Sequence, residues 1–444
     1  MGNSVALIRT KRSINRVVLA LAALLLLVGV PFSRILKNDP DESWSHWALF
    51  HGRRLWDPPR SFLLGASPAF PFERTLVYSR TTPGFWVLAP SGRVDRVVSW
   101  HIEMTGVWDP LLTEKVTQAL ASVPPGALIL DAGAHVGWFA LLGVAAGHRA
   151  VAFEAQVRLI RLIEASAAIN GFGCREEVQR EEEQCADRAE GDRTRDTEHA
   201  TGEQVPGVGK GGDRLRGPSD GRSTAGSLCV VHAAVTDRDG GAEFGVTGTG
   251  DRWGGARVVR PGSDDQAAAA ELGSIERGET AAEWGVPALS LDEEWARRGG
   301  GSVGLLKLDL EGHEMAALAG ASKLMESKAV HFAVLEFAPE SLERVLEWEK
   351  ALHWLTSPAC GFVVHDLRCT EMTDRKRWQR QRAGDDRSDE CARIWPDASD
   401  DPAVESARLV RVKRFLGRAL GRLGVSGTTD LWLELAVQAE LTAS

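Results

Sequence analysis

The sequence lacks several features that would identify a chain quickly. Its six cysteines (Cys174, Cys185, Cys229, Cys360, Cys369, Cys391) include no CxxC pair and no zinc-like spacing, which leaves no cysteine-based metal or redox motif to build on. Cys360, His365 and Cys369 lie near one another without matching a metal pattern; disulfides fit a lumenal domain, and the sequence assigns none. Basic residues are not in excess. The formal net charge is −9, so nothing suggests a nucleic-acid partner, which needs a basic face. No internal repeat is visible. The apolar fraction of 43% and charged fraction of 25% are ordinary, which excludes a collagen-like or wholly disordered chain.

Long hydrophobic runs are scarce too. The main one, Val17 to Phe32, falls short of the roughly 20 residues of a bilayer span. Arg9, Lys11, Arg12 and Arg16 precede it, and the acids Asp39, Asp41 and Glu42 follow, so its orientation puts the N-terminus in the cytoplasm. We read residues 1–16 as a cytoplasmic tail and 17–36 as a single-pass signal anchor with a Golgi- or ER-like lumenal domain beyond it. A cleaved signal peptide is the first alternative, although no small-x-small cleavage site follows cleanly. An organelle transit peptide is the second, since no acid precedes Asp39. Residues 37–101, rich in Pro, Trp and Arg, read as a stem and N-terminal extension, and residues 102–440 as the catalytic domain.

That domain reads as alternating strands and helices. Leu111, Leu112, Val116 and Leu120 share a helix face within Ile102–Leu120, ended by Pro124-Pro125-Gly126. Strands are expected at Ala127–Leu130, Ala150–Phe153, Val230–Val235, Val303–Glu311 and Val330–Phe337. Helices are expected from Trp138, over Arg158–Asn170, from Ser290 (an N-cap with Glu293 three residues on) and over Met315–Met325. Trp253–Gly285 reads as loop-rich, with a short helix at Gln266–Leu272. Two charged tracts, about 174–227 and 370–406, hold too few large apolar residues to fold and read as disordered insertions. The pattern is α/β: a Rossmann-like, mostly parallel sheet covered on both faces. Phe362–Leu367 and Leu431–Leu435, with no clear helix between them, suit an antiparallel edge hairpin.

The candidate chemistry begins at Asp131-Ala-Gly-Ala-His-Val-Gly-Trp-Phe, a strand end, a glycine turn and a helix start. Gly133 and Gly137 let backbone approach a ligand, as in nucleotide-binding turns. Glu154, about twenty residues on at the end of the second strand, is placed to accept both hydroxyls of a ribose. NAD(P) and S-adenosylmethionine both use this geometry. Aligned on Gly137, the dinucleotide pattern finds Ala132 and Ala134 where two glycines belong, which disfavours NAD(P). Asp131 suits the ammonium-bearing methionine end of a sulfonium cofactor; a turn-capping aspartate is the plainer role. In Leu306-Lys307-Leu-Asp309-Leu-Glu311-Gly312-His313-Glu314, three charges alternate at period two and so share a face. Burying them on a central strand is costly unless they pair with each other or with a ligand. The plain reading is a Lys307–Asp309 ion pair with Glu311 facing solvent. The functional reading is an acid/base cluster in which Asp309, Glu311 or His313 takes a hydroxyl proton, or in which the acids hold a divalent ion. Glu336, ending the fifth strand, would face the same cleft.

These elements, with Ala233-Ala234-Val235-Thr-Asp237, Ser290-Leu-Asp292-Glu and Leu335-Glu336-Phe337, resemble the FkbM-type methyltransferases in order and context. The resemblance spans roughly Ile102 to Glu434, and K-x-D-x-E-G-x-E is its most specific part. It implies a class I methyltransferase fold, S-adenosylmethionine as cofactor at Asp131, Gly133, Gly137 and Glu154, and O-methylation of a glycan or small-molecule hydroxyl. Ala155-Gln156 departs from the family, in which a proline is common after the acid. A catalytically inactive scaffold of the same fold is the alternative.

Overall fold

The computed structural model describes residues 60–174, 226–238, 244–247, 257–259, 283–339, 341–367, 393–394, 401–423 and 429–436, all within the unit Pro59–Ser444. The expected tail and anchor (1–36), the helix at Gln266–Leu272 and most of both insertions lie outside these residues. Among the described residues, no helix is long and apolar enough to cross a membrane.

The described chain opens with an antiparallel meander, β1 (Ser61–Leu64), β2 (Arg74–Tyr78) and β3 (Trp86–Pro90). Where the sequence reads one regular stretch from Ile102 to Leu120, there are two helices, α1 (Val98–Thr105) and α2 (Pro110–Ser122). Gly106 ends the first in a left-handed conformation. Asp109 starts the second by accepting the Leu112 amide at 3.0 Å, with Pro110 in the first helical position, where its missing N–H costs nothing.

The main sheet then begins with β4 (Leu128–Ala132), α3 (Trp138–Ala145), β5 (Arg149–Glu154), α4 (Val157–Asn170) and β6 (Ser227–His232). The meander is fastened to α4: Asn170 brackets Trp86 at 2.8 and 2.6 Å, and Ser166 Oγ accepts the Leu88 amide at 2.8 Å. Trp138, fully buried on α3, donates its Nε1–H to Thr113 of α2 at 2.9 Å, so the amphipathic tryptophan satisfies its polar end where it packs.

After β6 the chain forms β7 (Ala234–Val235), β8 (Phe244–Thr247), β9 (Arg257–Val259), β10 (Glu283–Val286) and β11 (Ala288–Leu289). The expected strand Val230–Val235 is therefore two strands. The region read as loop-rich contains β9 and β10, which flank β8 in a small antiparallel sheet, while β7 pairs with β11. Next come α5 (Leu291–Arg297), β12 (Val303–Leu308), α6 (Glu314–Ala319), α7 (Ser322–Glu326), β13 (Val330–Phe337), α8 (Leu342–Leu355), β14 (Phe362–Asp366), β15 (Arg393–Ile394), α9 (Pro402–Leu423) and β16 (Thr429–Leu435).

The large sheet runs in the order β15-β14-β16-β13-β12-β4-β5-β6. β6, β5, β4, β12 and β13 are mutually parallel, and β16 is antiparallel to both its neighbours. This is the parallel-rich α/β sheet the sequence implied. β14 and β16 pair antiparallel as expected, yet they are not an edge hairpin: β16 is inserted between β13 and β14, and β15 and α9 lie between β14 and β16 in the chain. The sequence reading missed α9 because its first residues extend the charged tract. Val412, Phe415, Leu416 and Ala419 are nevertheless a buried stripe at helical spacing.

A disulfide joins Cys174, after α4, to Cys229 on β6, across a separation of 55 residues. Replacing Cys174 by Ser should lower stability by about 2–4 kcal/mol by freeing that loop in the unfolded chain. Identical urea midpoints for this variant and the oxidised wild type would refute the bond.

Candidate active site

Strand order reverses between β4 and β12, because the chain moves outward from β4 to β6 and returns on the other side. Open α/β sheets bind ligands outside the carboxyl ends of strands at such a switch point. The glycine turn after β4 and the charged turn after β12 meet there.

Gly133 has φ +76°, and a Cβ on it would lie 1.8 Å from the carbonyl oxygen of Asp309. Only glycine lets the two turns touch. Gly137 has φ +77°, and a Cβ there would lie 2.9 Å from Ile163, so α3 and α4 also close on a glycine. The amides of Gly133 and Ala134 both donate to Phe153 O at 3.0 Å, which clamps the turn onto the end of β5. Asp131 is buried at the end of β4. Its Oδ2 accepts the Ala140 amide at 2.9 Å, at the positive end of α3. Its Oδ1 has only the looser contact with Lys307 Nζ at 3.6 Å. Burial raises its pKa, and Lys307 and the Ala140 amide oppose that rise.

Glu154 ends β5 with both oxygens anchored: Oε2 accepts the His135 amide at 2.8 Å and Oε1 the Gln156 amide at 2.9 Å. Each oxygen keeps a second lone pair. Burial pushes this carboxyl up to about 7 against the pull of those amides. His135 itself sits in the turn at φ +52°, a conformation uncommon for a side chain larger than glycine.

β12 ends at Leu308, three residues before the expected Glu311. Glu314, buried at the start of α6, explains the early stop: its Oε1 accepts the amides of Leu310 (2.9 Å) and Gly312 (3.0 Å) and curls the chain around itself. Arg344 of α8 holds the same turn by donating to Gly312 O at 2.6 Å. Lys307 is buried on β12 and is the hub of the site, 3.2 Å from Asp309 Oδ2, 3.6 Å from Asp131 Oδ1 and donating to Gly133 O at 3.2 Å. Burial alone would lower its pKa; Asp309 and Asp131 outweigh that and hold it above its ordinary value.

Asp309, Glu311 and Glu336 converge, with oxygens within 4.8 Å of one another. Glu336 Oε2 is buried without a hydrogen-bond partner. Burial first, then Asp309, Glu311 and Glu314, pushes the Glu336 carboxyl up to about 10, so it carries a proton at neutral pH. Three acids at this spacing could share that proton or surround a divalent cation. His313 goes elsewhere: its Nε2 lies 3.4 Å from Thr236 Oγ1, and its ring meets Phe244 edge-on at 5.9 Å.

The switch point thus gathers Asp131, Gly133, Gly137 and Glu154 on one side and Asp309, Glu311 and Glu336 on the other, with His313 turned toward β7 and β8. The Lys307–Asp309 pair of the plain reading is present. Glu311, though, joins the other acids instead of standing alone in solvent. Sequence reasoning assigned no role to Glu314, His135 or Asp95, a buried residue just before α1. A histidine inside a glycine turn was a visible signal; the other two depend on contacts between distant segments.

The family model described as "Methyltransferase FkbM domain" matches residues 131–364, more than half of the 444-residue chain. The chain belongs to the FkbM methyltransferase family. The matched segment begins at Asp131 and takes in the glycine turn, Glu154, the turn after β12, and Glu336. No curated protein and no solved structure matches the chain. The family establishes methyltransferase as the activity class. Its match leaves out residues before Asp131, including the meander that packs on α4 and the Asp95 segment beside the turn.

Proposed function

We propose that this FkbM methyltransferase uses S-adenosylmethionine to methylate a hydroxyl of a glycan or small molecule. The observation that carries this reading is Glu154: a buried carboxylate at the switch point, fixed by backbone amides and with acceptor capacity left over, which suits a ribose diol. Asp131 and the backbone at Gly133 and Gly137 would hold the methionine end, where acids favour a cationic ligand. Two amides of this turn are committed to Phe153 O, which counts against a pyrophosphate and hence against NAD(P). When bound, the cofactor supplies a methyl group activated by its sulfonium. The chain's own task is orientation and removal of the hydroxyl proton. Asp309, Glu311 and Glu336 offer acceptors and one donor to the hydroxyls of the methyl acceptor. The Cys174–Cys229 disulfide favours an oxidising compartment, in keeping with a lumenal domain behind an anchor at residues 17–36.

Calorimetry tests the cofactor. Losing two charge-assisted hydrogen bonds, Glu154→Ala should weaken S-adenosylmethionine binding by roughly 30-fold or more, that is, about 2 kcal/mol or more. Ribose hydroxyls donate more strongly to an ionised carboxylate than to a neutral carboxyl group, and burial pushes Glu154 up to about 7. Wild-type affinity should therefore fall as pH drops through 7, and binding at pH 7 should release protons to the buffer. Unchanged affinity in the variant would remove Glu154, and with it this reading, from consideration.

A further inference from the structure

We propose that His135 is the residue that takes the proton from the acceptor hydroxyl, with Asp95 orienting its ring; this builds on the methyltransferase reading above. Three observations carry it. First, the residue keeps a left-handed backbone (φ +52°) inside the turn, a conformation that glycine adopts freely and histidine does not. Such strain survives where the side chain is needed. Second, both ring nitrogens are buried and neither has a hydrogen-bond partner, although 17% of the side chain is open. Buried polar atoms left unsatisfied cost free energy, so these nitrogens are set for a group that arrives with the ligand. Third, Nε2 lies 4.0 Å from Asp95 Oδ2. The Asp95 carboxylate is itself fixed, accepting the amides of Val97 (3.1 Å) and Ser99 (2.8 Å) and the Ser99 hydroxyl (2.6 Å) at the start of α1.

The distance is long for a hydrogen bond, as such pairs often are before substrate tightens them. With Nε2–H directed at Asp95, Nδ1 is left as an acceptor, and its partner must be a donor. A hydroxyl fits. In the proposed step the O–H bond breaks, the oxygen keeps the electron pair and attacks, and a new Nδ1–H bond forms. The resulting imidazolium is stabilised by Asp95 and later returns the proton to solvent. Of the acids of the other turn, Asp309 is already engaged by Lys307 at 3.2 Å. The charged groups around His135 are Asp95 before α1, Asp309 and Lys307 at the end of β12, and Arg158 on α4. Burial is the largest influence and lowers its pKa, while Asp95 and Asp309 pull the other way, so the ring is neutral and able to accept a proton at pH 7.

The test uses the full chain, methyl-labelled S-adenosylmethionine and a glycan extract as acceptor source. His135→Gly removes the imidazole while suiting the backbone, and His135→Asn keeps a side chain tolerant of that conformation, so both should melt no lower than wild type. Transfer should fall at least 100-fold in both variants, within the usual span for a lost general base. Calorimetric affinity for S-adenosylmethionine should stay within about threefold. In wild type at saturating S-adenosylmethionine, transfer should decline as pH falls below the ordinary histidine value of about 6.5, and the NMR resonance lost in His135→Gly should titrate with it. Asp95→Asn, which keeps the size of the side chain and one acceptor oxygen, should shift that titration lower. Retained transfer, an Asp95→Asn titration identical to wild type, or cofactor affinity lost together with rate would each overturn the assignment; the last would make His135 a cofactor contact. A wild-type chain that fails to bind S-adenosylmethionine would instead overturn the methyltransferase reading on which it depends.

Discussion

Gly133→Ala should abolish cofactor binding and lower stability by roughly 2–5 kcal/mol. The added carbon would sit 1.8 Å from the Asp309 carbonyl, a backbone atom at the end of a central strand that no rotamer change can move. Forced overpacking typically costs about 1–3 kcal/mol, and a left-handed backbone with a Cβ adds about 1–2 kcal/mol. The only relief is to separate the glycine turn from β12, which would also pull Gly133 O off Lys307 and shift the Asp131 carboxylate. Stability and binding should therefore fail together. A urea midpoint within 1 M of wild type, or measurable S-adenosylmethionine binding by calorimetry, would show that the two turns do not meet as described.

The second large effect is expected at Lys307. Its ammonium is the countercharge for Asp131, a carboxylate with almost no solvent contact, and for Asp309, whose side chain is 40% exposed. Breaking a buried pair by removing one partner costs about 3–5 kcal/mol, because the other charge is left uncompensated. Solvent can screen Asp309, so most of the loss should come from Asp131 and lie at the lower end of that range. Lys307→Met keeps the volume of the side chain and isolates the charge effect. The sign of the pH dependence follows from Asp131, whose folded-state pKa is already raised by burial. Without Lys307 it rises further, so the variant loses stability as pH increases through that value and approaches wild type in acid. Denaturation midpoints for Lys307→Met across pH 5 to 8 would show the gap widening with pH. The double variant with Asp131→Asn should recover part of it. A pH-independent deficit would point to lost packing instead.

Local patterns made much of the architecture legible. Apolar runs flanked by glycine and charge located β4, β5, β12 and β13 to within a few residues, because strands buried on both faces cannot be written any other way. Glu154 and the glycine turn were readable for the same reason: backbone approach requires glycine, and a buried carboxylate at a strand end has few plausible uses. Where charge obscured the apolar stripe, as at α9, the pattern lost its contrast. Where a single carboxylate redirected the backbone, as Glu314 does after β12, period-two alternation overran the strand end and put Asp309 and Glu311 on a shared strand face that the chain does not build.

For the site, the sequence by itself determined the residue types and their attachment to particular strand ends, because turn chemistry and strand burial are local. Only the tertiary structure decided which of them meet. Lys307 bridges two carboxylates because β4 and β12 are neighbours across the reversal of strand order, though 176 positions separate Lys307 from Asp131. Glu336 joins Asp309 and Glu311 while His313 does not, because the turn around Glu314 directs His313 toward β7 and β8. Asp95 reaches His135 because α1 begins beside the glycine turn. These are long-range juxtapositions, set by how the layers pack, and no window of sequence contains them.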